Sequence, residues 1–414
     1  MNSMIDTQKK SFIWNTINSG LNAGMSALLL MIVNRGCGES ASGMFALAFS
    51  IAQLMVTIAY FEVRSYQVTD VNNKYSNSDY FMFRVLSCLA MMIASVGYVF
   101  VKGYTSSECV LILLLCVLKM YDAVEDYYIA VYQKEGLLYV GTKKSSIRLI
   151  VSMTIFSGTI ILGMDMLVST IVCVVISGIL VLVWFVLKEN RRLQLEYRID
   201  TVAMKGIFEE CFALFIGSYL LLYVGNAPKY AIDQFMGIQY QTYYGILYTP
   251  SFIINLFSGF VFKPLLNDMA VYYYEDKVKY RKLISKIFLI LTGISLVVIV
   301  AGGVLGIPAL SFVYAVDLTP YVKEFVIILC GGAVAAFGII VYYMLTIMRY
   351  QQWMIVGYGV TAITAYFLSP IMVEARGIMG ASEAFLFFNI IRVFVFVITL
   401  LVATVCEKSK LSKK

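Results

Sequence analysis

The apolar stretch CVLILLLCVLKMYDAVEDYYIAVYQKEG carries a lysine, two aspartates and a glutamine at positions 119, 122, 126 and 133. A helix turns ~100° per residue, so Lys119, Asp122, Asp126 and Gln133 share one narrow face, with Glu125 off it. At a rise of ~1.5 Å per residue, Asp126 lies two turns from Lys119 along the axis. Each ionised group held against lipid would cost roughly 2.5–3.5 kcal/mol, so this face must meet protein or water. Amides repeat the theme: Asn15, Asn18 and Asn22 follow one helical face, Asn389 stands beside Arg392, and YFEVRSYQVTD brings together Glu62, Arg64 and Asp70.

Two kinds of chemistry fit such groups. Lys119 and Arg392 suit a phosphate-bearing substrate, while titratable Asp122 and Asp126 suit ion coupling. Together they suggest a polar cavity in the first half of the chain, with Arg392 contributing from the second. The alternative is purely structural: a Lys119–Asp122 pair and an asparagine ladder that lock helices together. Catalytic chemistry has little to work with. The chain has no histidine, which removes imidazole relays and His-activated nucleophiles. Its eight cysteines fall mostly in apolar runs without C-x-x-C spacing, so they read as core residues. Neither a metal nor a cofactor is implied, and coupling to H+ or Na+ stays open.

The elements that must position these groups follow from composition. Of 414 residues, 60% are hydrophobic and 14% charged, against ~25% charged in a typical soluble domain. Windows of ~20 apolar residues mark twelve spans, near 11–34, 41–62, 80–101, 108–133, 145–163, 166–188, 207–227, 242–263, 283–303, 321–345, 353–373 and 378–402. The stretch 304–320 reads as a re-entrant or short extra segment. The polar opening MNSMIDTQKK ahead of an Asn-bearing run reads as a retained first helix rather than a cleaved signal. All six prolines lie in the second half, and Pro250 falls inside the eighth span.

With the N-terminus inside, the inner segments collect 25 of the 32 Lys and Arg. They include Lys74, Arg84, Lys134, Lys144, Arg192, Lys263, Arg349 and the Lys408–Lys414 tail. Five fall outside and two in mid-helix. This asymmetry fits a multi-pass bacterial inner-membrane protein with both termini cytoplasmic. It also accounts for the +7 net charge without a nucleic-acid partner, and the inner loops suit anionic lipid headgroups. The stretch 187–206 divides the spans six and six, giving an N-terminal bundle (1–190), a cytoplasmic linker (191–206) and a C-terminal bundle (207–414). Aromatic clusters such as YYIAVY and YQTYYGILY read as interfacial anchors.

Four stretches resemble the Wzx-type polysaccharide flippases of the multidrug/oligosaccharidyl-lipid/polysaccharide exporter superfamily. They are the Asn-bearing opening NTINSGLNAGMSALLLMIVNRGCGESASGMFALAFS; EVRSYQVTD; LKMYDAVEDYYIAVYQKEG with SSIRLI; and NAPKYAID, placed after the seventh span. Position 229 is Lys where that pattern commonly has Arg, which keeps the charge and loses the bidentate fork. The resemblance implies an all-α, V-shaped exporter fold of two six-helix bundles. It further implies alternating access that carries an undecaprenyl-pyrophosphate-linked oligosaccharide to the outer leaflet. Polysaccharide polymerases and glycosyltransferases would be its partners. Residues and resemblance together assign substrate binding to Asn18, Asn22, Arg64, Lys119, Arg148, Lys229 and Arg392, and ion coupling to Asp70, Asp122 and Asp126. A drug/cation antiporter of the same superfamily is the alternative, and Asp122, Glu125 and Asp126 favour it. A membrane polymerase or ligase would need a large outer loop with catalytic acids, and the outer connections here are short. A scaffold without transport is the residual option.

Overall fold

A computed structural model describes the backbone of residues 2–70, 73–348 and 350–411; side chains are described outside 2–5, 252–264, 266–268, 270, 351 and 407–411. The side chains of Lys263, Pro264, Lys408 and Lys410, together with Arg349, Lys413 and Lys414, lie outside the described residues.

The chain is helical throughout, with no strand among the described residues. In the first half run α1 (Asn2–Cys37), α2 (Glu39–Tyr60), the short α3 (Val63–Thr69), α4 (Asn77–Lys102), α5 (Ser106–Lys134), α6 (Leu138–Ile161) and α7 (Met166–Val181). A π-helical turn, Leu182–Leu187, joins α7 to α8 (Lys188–Leu193). Then follow α9 (Thr201–Phe235), α10 (Gln239–Glu275), α11 (Lys277–Ala301), a second π turn (Gly302–Gly306), α12 (Ile307–Tyr314), α13 (Val322–Ile347) and α14 (Met354–Leu411). Gly377, at φ 58° and ψ −134°, breaks α14 into two helices. With that break counted, twelve long helices among the described residues stand where twelve spans are expected. By length and composition alone, nine helices among the described residues qualify to cross a bilayer. That set takes α14 as one and omits the charge-bearing α5 and the partly described α10.

Local sequence explains the breaks. Ser76 and Asp79 form a reciprocal capping box at the start of α4, and Thr105 with Glu108 does the same for α5. Gly103 ends α4 at φ 67°, a conformation that an L side chain resists. Three boundaries differ from the sequence expectation. Helix α9 continues through Pro228 to Phe235, so NAPKYAID is helical rather than a segment after the span. The ninth span continues past 303 through a π turn to Tyr314, so 304–314 is helix and not re-entrant. Helix α10 continues to Glu275 and absorbs VYYYE.

Packing divides the chain into two units, residues 1–222 and 223–414, with the division inside α9. In the first unit α5 is central and packs against α2, α4, α6 and α7. The helix richest in mid-span charge is therefore surrounded by other helices of its unit. In the second unit α13 packs against α10, α11 and α14. Its Gly331 and Gly332 make this possible, since an added Cβ would meet the Phe385 ring and the Ser251 backbone.

Candidate functional site

Around α5 the ionised residues form two networks. In the first, Lys119 Nζ donates to Asp122 Oδ2 at 2.9 Å and lies 4.9 Å from the Phe49 ring centre. Arg148, on α6, donates to the other Asp122 oxygen. The same guanidinium reaches Glu125 through Nε at 2.6 Å and Nη2 at 3.1 Å. Lys119, Asp122, Glu125 and Arg148 expose only 6, 9, 1 and 1% of their surface. Two cations and two carboxylates thus neutralise one another inside the unit, the arrangement that makes buried charge tolerable. For this part of the stripe the side chains pair with one another across α5 and α6. Asn18 and Asn22 lie alongside on α1. The Asn18 amide donates to Ser146 Oγ on α6 at 3.4 Å, and Asn22 donates back to the Asn18 carbonyl at 3.0 Å.

The second network lies two turns along α5. Asp126 accepts from Arg64 Nη1 on one oxygen at 3.0 Å and from Arg84 Nη2 on the other at 3.1 Å. Arg64 Nη2 also donates to Gln133 at 2.9 Å. The predicted single face of α5 therefore serves several partners: Lys119 lies over Phe49 on α2 and Asp122 meets Arg148 on α6, while Asp126 meets Arg64 on α3 and Arg84 on α4, and Gln133 meets Arg64. Arg84 is 2% exposed. Besides Asp126 it donates to the Ala59 carbonyl, to which Ser87 Oγ also donates at 2.8 Å. That carbonyl needs partners because Phe61 and Glu62 adopt left-handed φ values of 45° and 55° and interrupt the helix. Sequence reasoning counted Arg84 only among the inner charges. Its position inside an apolar span, YFMFRVLSC, is the signal that would have marked it as needing an acid partner.

Asp70 joins neither network. Its carboxylate accepts from the backbone N–H of Lys74 and Tyr75 and from the Tyr80 hydroxyl, while Lys134 Nζ donates to its carbonyl. Burial alone would push its carboxyl above the ordinary range. The bonds from Lys74, Tyr80 and Tyr75 and the Lys134 charge outweigh it and hold the carboxyl below its ordinary range. Asp70 thereby organises the α3–α4 loop and stays ionised at neutral pH. The loop in turn grips the start of α9, where Lys74 pairs with Glu210 at 3.0 Å and the Tyr75 hydroxyl fills the space over Gly206.

Further links gather one pole of this unit. Lys144 pairs with Glu189 at 2.7 Å, Arg192 with Glu135 at 2.9 Å, and Lys134 with Asn73 at 3.0 Å. The ends of α3, α5 and α8 and the starts of α4, α6 and α9 therefore meet at one end of the bundle.

In the second unit, Lys229 on α9 lies 4.8 Å from the Tyr248 ring centre. Arg392, on the second half of α14, is 9% exposed. Its Nη2 donates to the Ala335 carbonyl of α13 at 3.4 Å, beside Gly338, and its Nε has no hydrogen-bond partner among the described residues. Its titratable neighbours are Tyr358 and Tyr248, and no ion pair joins it to a carboxylate among the described residues. The adjacent Asn389 amide donates to its own helix, at the Phe385 carbonyl, at 2.8 Å.

No protein-family model and no curated relative matches the sequence. Solved structures match over nearly the whole chain. An inward-facing multidrug-resistance MATE family transporter of the MOP superfamily superposes with TM-score 0.62 at 12% identity, covering 96% of this chain and 99% of its own. A MATE protein in a bent conformation gives 0.53 at 11%, over 98% and 97%. A MOP superfamily transporter from Pyrococcus furiosus, described as having a binding pocket of reverse polarity, gives 0.53 at 12%, over 96% and 95%. The likeness is one of fold: an all-α architecture shared over nearly the whole chain.

Proposed function

We propose that this chain is a flippase in a bacterial inner membrane, with both termini cytoplasmic. It would carry an undecaprenyl-pyrophosphate-linked oligosaccharide to the outer leaflet by alternating access, for surface polysaccharide synthesis. The observation that carries this proposal is Arg392. A buried guanidinium with no carboxylate partner among the described residues is costly to keep, and an anionic ligand would relieve that cost where a cationic drug would add to it. In the first unit the acids that would favour a cation, Asp122, Glu125 and Asp126, are each already matched by arginine or lysine. The fold supports transport, since the neighbours it resembles include inward- and outward-facing transporters. The basic pole of the first unit supports the inside placement of the loops that form it.

A sugar–pyrophosphate headgroup needs a hydrated, partly cationic path, and its polyprenyl tail can remain in lipid. Lys229 beside Tyr248 adds a cation and an aromatic face of the kind that sugars and phosphates engage. Purified protein in liposomes tests the proposal. Fluorescent lipid-linked oligosaccharide loaded in one leaflet should become accessible to an enzyme on the other side only when the protein is present. Ion-gradient-driven uptake of a cationic dye, with no movement of lipid-linked sugar, would replace the proposal with an antiporter.

A further inference from the structure

The Arg64–Asp126–Arg84 triad has an asymmetry that the first network lacks. Asp126 is shared between two arginines, one on each oxygen. Arg84 is 2% exposed and is also tied to the Ala59 carbonyl, whereas the Arg64 side chain is 33% exposed. The other partner of Arg64 is the neutral amide of Gln133. If Arg64 departs, Asp126 keeps a full ion pair with Arg84 and no buried carboxylate is stranded. The reverse does not hold, because loss of Arg84 would leave both Asp126 and the broken backbone at Ala59 short of a donor. Arg64 is thus the member that the structure can release.

We propose that Arg64 is a transferable anion-capturing arm. It exchanges the Asp126 carboxylate for the phosphate of a lipid headgroup, and Arg84 is the positioning residue that makes the exchange possible by retaining Asp126. This deepens the flippase proposal and rests on it for the identity of the phosphate. The energetics favour exchange. A partly exposed Arg–carboxylate pair contributes little, and Arg64 makes a single bond to Asp126, whereas a phosphate can take the guanidinium bidentately. Gln133 holds the arm in register without adding a charge that would compete.

The proposal predicts effects of opposite sign on one affinity. Full-length protein in nanodiscs is titrated with sugar-free undecaprenyl diphosphate in zwitterionic lipid, and separately with phosphatidylglycerol. Asp126→Asn removes the competing carboxylate and should tighten phosphate binding ~10-fold. Gln133→Glu adds a competitor at a half-exposed position and should weaken it by a similar factor. Arg64→Gln should abolish the response to both changes. If Asp126→Asn does not fold, the Gln133→Glu and Arg64→Gln pair still decides the matter. Opposite shifts seen with undecaprenyl diphosphate support both the arm and the flippase. Opposite shifts seen only with phosphatidylglycerol keep the arm and discard the flippase. Binding that ignores Gln133→Glu, or that weakens in folded Asp126→Asn, overturns the transfer.

Discussion

A single guanidinium, that of Arg148, bridges two buried carboxylates in the first unit, where Lys119 supplies the second positive charge. Removing it as Arg148→Gln would strand Asp122 and Glu125 with only Lys119 for company, a loss on the order of 3–5 kcal/mol for a broken buried pair. The expected result is a sharply lowered melting temperature in detergent. The balanced double change Arg148→Gln, Glu125→Gln should recover much of it, because Lys119 still pairs with Asp122 and no net charge is left unmatched. Asp70 makes a pH prediction with a definite sign. Its folded carboxyl titrates below its ordinary value, so its contribution is complete above the unfolded value near ~3.9 and is lost as pH falls through the lower folded one. Protease access to the 70–76 loop should therefore stay constant from neutral pH down to about pH 5 and rise only in stronger acid. Asp70→Asn should show the raised access at every pH. The carriers were legible in the sequence because charges in apolar runs demand partners. The partners themselves were not. Nothing in the spacing along α5 says that Asp122 turns to α6 while Asp126 turns to α4, since which face meets which helix is decided by tertiary packing.

Helices were read more faithfully than their ends. Twelve spans and their order follow from hydropathy alone, but α9, α10 and the α11–α12 run each extend beyond their apolar windows. A helix keeps its backbone bonds as long as neighbours cover it, whatever the mean polarity of the added turn. Breaks depend on single residues and were harder to foresee. Phe61 and Glu62 carry no glycine-like signature, yet they turn left-handed. The Phe61 ring is stacked on Phe215 at 4.5 Å between centres, and Arg84 caps the exposed carbonyl. The break within α14 has a clearer cause. Gly377 takes a positive φ, and three residues on an added Cβ at Gly380 would run into the Met372 carbonyl across the turn. Because the obstacle is backbone, Gly380→Ala must move the two helices apart. It should lower thermal stability and cut folded yield severalfold in size-exclusion profiles. Gly97→Ala on α4, where an added Cβ meets nothing within 4 Å, should be neutral or stabilising, as helix propensity alone dictates. Equal effects from the two substitutions would remove the steric account of the turn.

At the scale of the whole molecule, the two units carry charge differently. The first is knitted by ion pairs from its core to its pole, so its interior charges bind one another. The second holds Arg392 against the Ala335 carbonyl, near Tyr358 and Tyr248, with no ion pair to a carboxylate among the described residues. On the flippase proposal an anionic substrate would stabilise the protein by mass action, and this gives a readout independent of transport. Sugar-free undecaprenyl diphosphate should raise the melting temperature of wild-type protein in nanodiscs. In Arg392→Gln that shift should shrink markedly, even though the unliganded variant, relieved of an unmatched charge, is no less stable than wild type. Arg392→Lys should keep part of the shift, since it retains charge while losing the planar fork. Cells carrying Arg392→Gln at normal expression should accumulate lipid-linked oligosaccharide on the cytoplasmic face. An Arg392→Gln protein that is strongly destabilised without ligand would mean instead that this guanidinium is structural, and the anionic substrate would lose its main support.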